Sequence, residues 1–370
     1  MKEKFIRVGM DVRNLNLRSG FSRIVPTLLE NFDEKRIRVT LLTDTESVNL
    51  KVVKRVVKKP ENIPWRLWIN SPLINRYLED VKIFFGITNT IPLFVKMKKI
   101  LYIWDIYGWL AIKKRYYEFI RESKPNELFT FFILVPLSII RADLILTPSV
   151  FTKKNIIEIF RIRENKIMVV KPGIDQSFRR SKPTEVDEVR KIYKIDKPYT
   201  LVVGNFRYHR NYRRIAEAFR GLQKDFQLVI CGYMDEKGRG IFKDIENVIY
   251  TGNVSDDDLR ALYSGATFLT HVSLMEGFGL PPLEAMGCGC PVLSSNVCSL
   301  PEVCSNSAYY VNPESIEEIR EGMKRLFEDS RMREELVEKG YKNIERYEMK
   351  RFAQEITNIF FLWAEGRYVQ

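Results

Sequence analysis

Short apolar runs alternate with longer amphipathic segments along nearly the whole chain, and this alternation constrains the fold more than any other feature. Strands separated by helical segments run parallel in one sheet, with the crossover helices on its two faces. We therefore expect α/β architecture with doubly wound parallel sheets. The predicted strands are Ile6–Asp11, Ile37–Leu42, Val81–Phe85, Ile100–Trp104, Leu144–Thr147, Met168–Val170, Leu201–Val203, Leu228–Cys231, Val248–Tyr250, Phe268–Val272, Val292–Ser294 and Tyr309–Val311.

Chain length indicates two domains. The 370 residues exceed the roughly 150–200 residues of an ordinary domain core. The strand pattern begins afresh after Asp187–Lys197, a charged stretch between two prolines that we interpret as the connection. The predicted division is 1–182, 183–345 and a C-terminal helix over 346–370. Ligands of such sheets bind beyond the carboxyl ends of the strands, so we expect the site in a cleft between the domains.

Net charge is +13 and the pI is near 9.4, which favours anionic partners such as a nucleotide, an anionic membrane face or nucleic acid. The basic residues are scattered along the chain. Their one local cluster, Lys51–Pro60, alternates lysine with valine and therefore also fits an exposed strand with one solvated face. Charge by itself does not choose among these partners.

The longest apolar stretch, Leu128–Ile140, is too short to cross a membrane. It has thirteen residues and includes Pro136, whereas a spanning helix needs about 20. A buried helix and a helix that dips into a membrane surface both remain open. The start, MKEKFIRVGMDV, lacks the apolar core and cleavage site of a signal peptide, so we expect a cytoplasmic protein.

The cysteines and acidic runs do not predict a metal site. Four of the five cysteines lie within Cys288–Cys304, but their spacing matches no zinc pattern, and small buried side chains explain them better. The acidic run Asp256–Asp258 follows Ser255, which predicts a helix start with a serine cap.

The segment LMEGFGLPPLEAMGCGCPVLSS after the strand ending at Val272 predicts an anion site. Gly277 and Gly279 let backbone N–H groups approach a ligand, and the two prolines that follow fit a first helical turn. The helix would end at Gly287 or Gly289. A glycine loop that delivers a helix N-terminus at the carboxyl end of a strand suits a pyrophosphate.

Two glutamates flank this loop, Glu276 before it and Glu284 in what we expect to be the first turn of the helix. Eight residues of continuous helix would separate them by about 12 Å. Glycoside hydrolases hold their carboxylates about 5–9.5 Å apart. The spacing better suits two acceptors that grip opposite ends of one long ligand.

The stretch HVSLMEGFGLPPLEAMGCGCPVLSSNVCSLPEV closely resembles the Glu-x7-Glu region of the family 4 retaining glycosyltransferases of GT-B fold. The resemblance covers most of the chain and is dense over Thr200–Tyr347. It implies a metal-independent, mannosyltransferase-like hexosyltransferase with no cofactor, using a GDP- or UDP-sugar as co-substrate. It also implies that the departing phosphate helps to deprotonate a hydroxyl acceptor.

The resemblance assigns roles to the motif residues. It implies that Glu276 contacts the transferred sugar and that Glu284 binds the ribose hydroxyls. The backbone amides of Phe278, Gly279 and Leu280 are expected to face the sugar and the phosphates.

Two arginines follow the strand TLVVG, which ends at Gly204. Arg207 and Arg210 are candidate catalytic groups with Glu276, because guanidinium groups fork onto phosphate oxygens and stabilise charge on a leaving diphosphate. Arg210 stands where the family usually has lysine. The segment Gly252–Val254 resembles the family's base-contacting loop, so Val254 is a further candidate donor contact.

In the first domain the stretch Arg18–Arg23 resembles the family's opening glycine loop, with Gly20 close to the donor phosphate or the acceptor. A plain helix-start glycine is the alternative.

Trp104 and Asp105 replace the His-Asp of many relatives. Indole exchanges no proton near neutral pH. Trp104 is therefore either a stacking wall for the sugar or part of the core, and Asp105 is a candidate polar contact.

Other functions remain open. A nucleotide-sugar epimerase on the same scaffold would need no acceptor, and a non-catalytic binding protein would hold a nucleotide sugar without turnover. The expected acceptor is a glycan, a lipid-linked molecule or a protein. Peripheral contact with an anionic membrane on the cytoplasmic face fits the net charge, and we do not expect nucleic acid as a partner.

Overall fold

The protein divides into two compact units. The computed structural model describes residues 5–12, 20–44, 50–222, 224 and 226–367. The division falls after residues 173 and 346, where 182 and 345 were predicted, and the short segment 116–122 groups with the second unit. Unit 1 comprises Met1–Arg115, Ser123–Gly173 and Tyr347–Gln370, and unit 2 comprises Tyr116–Glu122 and Ile174–Arg346.

Unit 1 contains a parallel sheet in which seven described strands pair in the order β3-β2-β1-β4-β5-β6-β7. β3 lies in the basic cluster, and three of its six side chains are exposed, which agrees with a solvated strand. The strands are β1 (Ile6–Asp11), β2 (Ile37–Thr43), β3 (Val53–Lys58), β4 (Ile83–Gly86), β5 (Lys98–Tyr102), β6 (Leu144–Thr147) and β7 (Ile167–Val169).

Unit 2 contains a second parallel sheet, in which six described strands pair in the order β10-β9-β8-β11-β12-β13. The predicted doubly wound α/β class is confirmed in both units. The strands are β8 (Tyr199–Val203), β9 (Gln227–Cys231), β10 (Val248–Gly252), β11 (Phe268–His271), β12 (Val292–Ser295) and β13 (Tyr309–Val311).

Helices connect the strands, and a π-helical segment, Thr130–Leu134, joins α5 to α6. The helices are α1 (Gly20–Asn31), α2 (Trp65–Ile69), α3 (Tyr107–Lys113), α4 (Tyr117–Glu122), α5 (Pro125–Phe129), α6 (Val135–Arg141), α7 (Val150–Phe160), α8 (Pro183–Tyr193), α9 (Tyr212–Phe219), α10 (Glu236–Gly240), α11 (Asp256–Gly265), α12 (Leu280–Gly287), α13 (Leu300–Cys304), α14 (Ile316–Glu328), α15 (Ser330–Ile344) and α16 (Met349–Ala364). Short 3₁₀ turns occur at Pro72–Tyr77, Glu164–Lys166, Tyr208–Arg210 and Glu345–Tyr347.

Strand order creates a switch point in each sheet. β8 is the first strand of unit 2, and it lies between β9 and β11. The chain winds outward on one side of β8 and then returns to its other side at β11. Crossovers on opposite sides leave a crevice at the carboxyl ends of β8 and β11, where ligands of such sheets bind.

The last helix, α16, packs within unit 1. The Phe360 ring lies 5.2 Å from the Phe85 ring and 6.2 Å from the Phe32 ring, and Phe352 lies 5.9 Å from Tyr102. Aromatic groups of this size bury large apolar areas and contribute strongly to a core. The helix α16 therefore contributes to the core of unit 1.

The structure corrects one local prediction and confirms another. Asp187–Lys197 was expected to connect the domains, but most of it belongs to α8 inside unit 2, where burial of Val189 stabilises a helix that starts at Pro183. The predicted helix start at Asp256 is confirmed, and the Ser255 side chain accepts the Asp258 N–H.

No helix in the described parts of the chain is long and apolar enough to cross a membrane. Of the cysteines, Cys288, Cys290 and Cys304 are buried, as expected of small core side chains, and none of the five forms a disulfide. Among the described residues, no group of histidine, cysteine and acidic side chains could hold a metal ion.

We expect Gly173→Ala to destabilise unit 1. A Cβ at Gly173 would lie 2.3 Å from Met349 Cα and 2.4 Å from Met349 N, so the backbone at the start of α16 would have to move. Overpacking of this kind costs about 1–3 kcal/mol, and the thermal midpoint should fall by several degrees. Gly240→Ala is the matched control, because its Cβ would meet nothing within 4 Å. Equal midpoints for the two variants would contradict the contact.

Candidate active site

The candidate site of unit 2 lies where β8 and β11 end side by side. β8 leads into Gly204, whose φ of +141° a side chain would strain. A Cβ there would lie 3.1 Å from Arg210 Nε. The Tyr212 hydroxyl donates to the Gly204 carbonyl, and the Gly204 N–H donates to Cys231 O at 2.8 Å. The predicted glycine therefore gives the Arg210 side chain room above the strand end.

A buried ion pair joins the two strand ends. Arg210 Nη1 lies 2.6 Å from Glu276 Oε1, and Glu276 is almost fully buried. His271, the last residue of β11, has its Nε2 atom 3.1 Å from the same carboxylate oxygen. Because a bare ring nitrogen would repel the carboxylate, we assign the proton of the neutral ring to Nε2. The predicted Glu276 and Arg210 are thus brought together, with a histidine that the sequence did not single out.

The charges of this cluster are set by burial and by Arg210. Burial acts to raise the pKa of the Glu276 carboxyl, but the Arg210 guanidinium and the His271 ring outweigh burial and hold that pKa well below its usual range. Burial lowers the pKa of His271 despite the nearby carboxylate. At neutral pH the site therefore holds one carboxylate, one guanidinium and a neutral imidazole.

Asn211 fixes the loop that carries Arg210. Its backbone is left-handed, with φ +64°, a conformation that asparagine tolerates better than most residues. Its side-chain amide donates to Val272 O at 3.0 Å and to Pro313 O at 2.7 Å. The Leu274 N–H donates to the carbonyl of His209 at 2.8 Å. These bonds tie the loop after β8 to the loop after β11.

The glycine loop is held by a serine that sequence reasoning missed. The buried Ser299 hydroxyl lies 3.0 Å from the Glu276 carbonyl and 2.7 Å from the Phe278 carbonyl. Gly279 has φ +126°, and a Cβ there would lie 2.8 Å from Leu300. Ser299 begins the SLPEV tail of the recognised motif, and the tail was the available signal for this contact.

The helix α12 begins at Leu280, so the predicted position of Glu284 in its first turn is wrong. Glu284 is the fifth helical residue, because the helix starts before the two prolines. Proline has no backbone N–H, and Pro281 and Pro282 therefore remove two of the N–H donors at this helix end. The predicted anion site depends on the donors that remain, those of Leu280 and the loop before it.

Glu284 is buried and accepts a hydrogen bond from the Tyr263 hydroxyl at 3.0 Å. Tyr263 comes from α11 and is itself fully buried. Glu276 and Glu284 thus have different partners, a guanidinium for one and a phenol for the other. Both carboxylates nevertheless act on the buried His271, whose pKa burial lowers and each of them acts to raise.

The remaining donor candidates lie on neighbouring loops. Arg207 is exposed and precedes the short turn that holds Arg210. Val254 is buried just after β10, where Gly252 has φ +68°. Phe278 is buried and Leu280 is partly exposed.

Three candidates belong to unit 1. Gly20 begins α1, and of its predicted loop Arg18–Arg23 the first two residues, Arg18 and Ser19, lie outside the described residues. The half-buried Trp104 donates its indole N–H to Ile87 O at 2.8 Å, and its ring lies 4.7 Å from that of Tyr102. Because the indole N–H is engaged, any further contact by Trp104 is through its ring. The carboxylate of Asp105 accepts the Tyr107 N–H at 3.4 Å.

Comparisons with known proteins agree with this geometry. Residues 185–343 match the family model described as glycosyl transferases group 1. Among curated proteins, the chain is similar to O-antigen chain mannosyltransferase B of Escherichia coli, at 29% identity over 60% of this chain and 61% of the relative. It is also similar to the O-antigen chain mannosyltransferase RfbU of Salmonella typhimurium, at 31% identity over 50% of this chain and 51% of the relative. The matches thus span between half and two thirds of these relatives.

Solved structures resemble the chain over almost its whole length. HepE of Anabaena in complex with UDP-glucose has a TM-score of 0.76 at 13% identity, covering 96% of this chain and 99% of that one. WaaG, a glycosyltransferase involved in lipopolysaccharide biosynthesis, has a TM-score of 0.75 at 15% identity, and the match covers 95% of this chain and 99% of WaaG.

The fold is GT-B, as in these solved structures, and residues 185–343 match the glycosyl transferases group 1 family model. The resemblance to GT-B glycosyltransferases of mannosyltransferase type is therefore confirmed.

We expect the stability of the protein to fall between pH 6.5 and 5.5 because of its two histidines. Burial, then the Arg210 and Arg207 charges, lowers the pKa of His209 to about 3, so the folded ring stays neutral while the unfolded chain takes up a proton. The free energy of unfolding therefore keeps its full value above about pH 6.5. Below that pH it falls by up to about 1.4 kcal/mol per pH unit for each histidine. Urea midpoints should show that His209→Gln reduces this slope. An unchanged slope in the variant would contradict the assignment.

Proposed function

We propose that the protein is a retaining glycosyltransferase that moves a hexose from a nucleotide-diphosphate sugar to a hydroxyl of a glycan, a lipid-linked acceptor or a protein. The observation that carries this proposal is the buried Glu276 carboxylate, held by Arg210 at the switch point of unit 2 and followed by the glycine loop into α12. An ionised acceptor beside a fixed guanidinium suits a ligand that has sugar hydroxyls at one end and phosphates at the other.

Mannose is the first sugar to test, because the curated relatives that the chain matches are mannosyltransferases of O-antigen chains. The same names favour a glycan acceptor. GDP- and UDP-sugars both belong to the proposal, since HepE was solved with UDP-glucose and contacts of a nucleobase with backbone groups do not depend on side chains.

In this proposal Glu276 accepts hydrogen bonds from hydroxyls of the transferred sugar. Arg210, which pairs with Glu276 in the absence of a ligand, directs part of its guanidinium to the diphosphate. Arg207 supplies a second cation as negative charge grows on the leaving group. Fixed cations can supply the charge that a metal ion would otherwise bring, which supports a metal-independent reaction without a cofactor. The departing phosphate takes the acceptor proton.

Glu284 has a separate task in this proposal. Held by Tyr263, it accepts the ribose hydroxyls, while backbone amides of Phe278, Gly279 and Leu280 face the sugar and phosphates and Val254 lies at the base. In unit 1, Gly20 remains a donor contact, and Trp104 and Asp105 remain acceptor or sugar contacts. The Trp104 ring would serve as a stacking wall. The protein would act in the cytoplasm, in peripheral contact with an anionic membrane.

The direct test is a panel of GDP- and UDP-sugars, including GDP-mannose, with release of the nucleoside diphosphate followed with and without a chelator. NMR of the product would report whether the anomeric configuration is retained. A change in the donor alone would favour an epimerase, and binding without turnover would favour a non-catalytic protein. Failure to bind any nucleotide sugar would refute the proposal.

We expect Glu276→Gln to lower kcat for transfer by about 100-fold or more, because the neutral amide loses the ion pair with Arg210 and accepts weaker hydrogen bonds from the sugar hydroxyls. Binding of the nucleoside diphosphate should change only a few-fold. The matched control is Glu217→Gln, whose carboxylate pairs with Arg220 at 3.4 Å on an exposed face. Circular dichroism checks the fold, and normal turnover by a folded Glu276→Gln protein would contradict the assigned role.

We expect Glu284→Gln to act on binding. Hydrogen bonds to a charged acceptor contribute about 1 kcal/mol more than those to a neutral one, so the Kd for the nucleoside diphosphate should rise about tenfold, with a smaller effect on kcat. Tyr263→Phe should raise the Kd a few-fold, since it removes the hydroxyl that orients Glu284. Tyr193→Phe removes a hydroxyl that lies 3.4 Å from Asp258 and is the control. Calorimetry measures all three, and equal affinities would refute the ribose assignment.

A further inference from the structure

The helical run 125–141 of unit 1, made of α5, the π-helical segment and α6, has two apolar faces. One face is buried in the unit and includes Val135, Ser138 and Ile139. The opposite face carries four large apolar side chains with exposures from 37% to 63%. Spacings of four, four and three residues place them on one side of a helix. This exposed stripe consists of Phe129, Ile133, Leu137 and Ile140.

The sequence analysis left two interpretations of Leu128–Ile140 open, a buried helix and a helix that dips into a membrane surface. The helix is half core and half surface, and burial explains only one of its faces. Isolated apolar side chains on a surface are ordinary, but a continuous row of them marks an interaction site.

Segments near the stripe carry further exposed apolar side chains. Leu67, Leu73 and Phe94 are each at least half exposed. The Arg66 guanidinium lies over the Phe129 ring and donates to Asn126 O at 2.6 Å, which links α2 to the start of the stripe. At the other end, Arg141 lies over the Phe94 ring and donates to Leu93 O at 3.1 Å.

The charges around the stripe are positive. Arg66 lies at one end, and Arg141 lies at the other with Lys166, whose Nζ donates to the carbonyls of Ile139 and Ile140. The sequence from 128 to 142 contains no acidic residue. The acids just beyond its ends are engaged nearby: Glu127 accepts the Lys124 N–H at 3.0 Å, and Asp143 lies 3.5 Å from Lys99 Nζ.

We propose that the exposed stripe, with Leu67, Leu73 and Phe94 beside it, lies in the interface of an anionic membrane, with the helical run parallel to the surface. An amphipathic surface of apolar side chains edged by arginine and lysine suits this position, since the apolar groups enter the acyl boundary and the cations meet lipid phosphates. The helical run is shorter than the roughly 20 residues that span a bilayer. This inference assigns a surface to the proposed membrane contact and does not depend on the transfer reaction.

Binding to an anionic membrane should need both the apolar side chains of the exposed stripe and the cations around it. Apolar burial by a few side chains gives modest affinity, and each cation near an anionic surface raises the affinity about fivefold. The protein should therefore bind vesicles of phosphatidylcholine mixed with phosphatidylglycerol at least tenfold better than pure phosphatidylcholine vesicles. Added salt should weaken that binding, because it screens the charges.

The test is cosedimentation of the full chain with both kinds of vesicle, in the absence of any nucleotide sugar. We expect the double variant Ile133→Ser, Ile140→Ser to lose binding to the anionic vesicles by about tenfold or more. Ile192→Ser is the matched control, because Ile192 on α8 of unit 2 is as exposed as Ile140, and it should bind like the unchanged protein. Both variants alter exposed positions, and thermal midpoints check that they fold.

Three outcomes would overturn the inference: no binding of the unchanged protein to anionic vesicles, equal loss in the Ile192→Ser control, or equal binding to neutral and anionic vesicles. Sedimentation velocity without lipid addresses a second copy as the occupant. A dimer that the double variant dissociates, together with absent vesicle binding, would show that the stripe is a protein interface. Since no donor is present, a protein that binds vesicles and yet transfers no sugar would refute the proposed function alone.

Discussion

The ion pair between Arg210 and Glu276 is the interaction on which the candidate site depends. It joins the loop after β8 to the loop after β11, and it keeps Glu276 ionised although burial opposes the charge. Replacement of a buried ion pair by apolar side chains is often neutral or stabilising, whereas loss of one partner costs about 3–5 kcal/mol. Stability alone therefore does not explain the pair, and the proposed function assigns it the task of holding an anionic or hydroxyl-rich ligand.

The side chains around the pair act mostly on the backbone. Asn211 donates to the carbonyls of Val272 and Pro313, Ser299 contacts those of Glu276 and Phe278, and Ser295 donates to Ser273 O at 2.6 Å. A loop whose carbonyls are engaged in this way is held in one conformation before a ligand arrives. Such preorganisation lowers the cost of binding and of charge stabilisation.

The helical run 125–141 of unit 1 departs from ordinary patterning. The sheet and most of α16 bury their apolar side chains, yet this run exposes a row of them between cations. A sequence that follows local rules elsewhere tends to break them where function requires it. The stripe would place unit 1 at a lipid surface, where lipid-linked acceptors are found.

Sequence alone determined the parallel α/β class, most strand positions, the Ser255 cap and the loop from Glu276 into α12, because periodicity, caps and glycine-proline patterns act over a few residues. Tertiary structure decided which distant side chains meet. His271 beside Glu276, Ser299 beneath the glycine loop and Tyr263 on Glu284 come from separate elements brought together by sheet order. Tertiary structure also decided that Pro183–Tyr193 is a helix of unit 2 and that one face of the helical run 125–141 is exposed. Burial depends on what packs against a segment, which local sequence does not show.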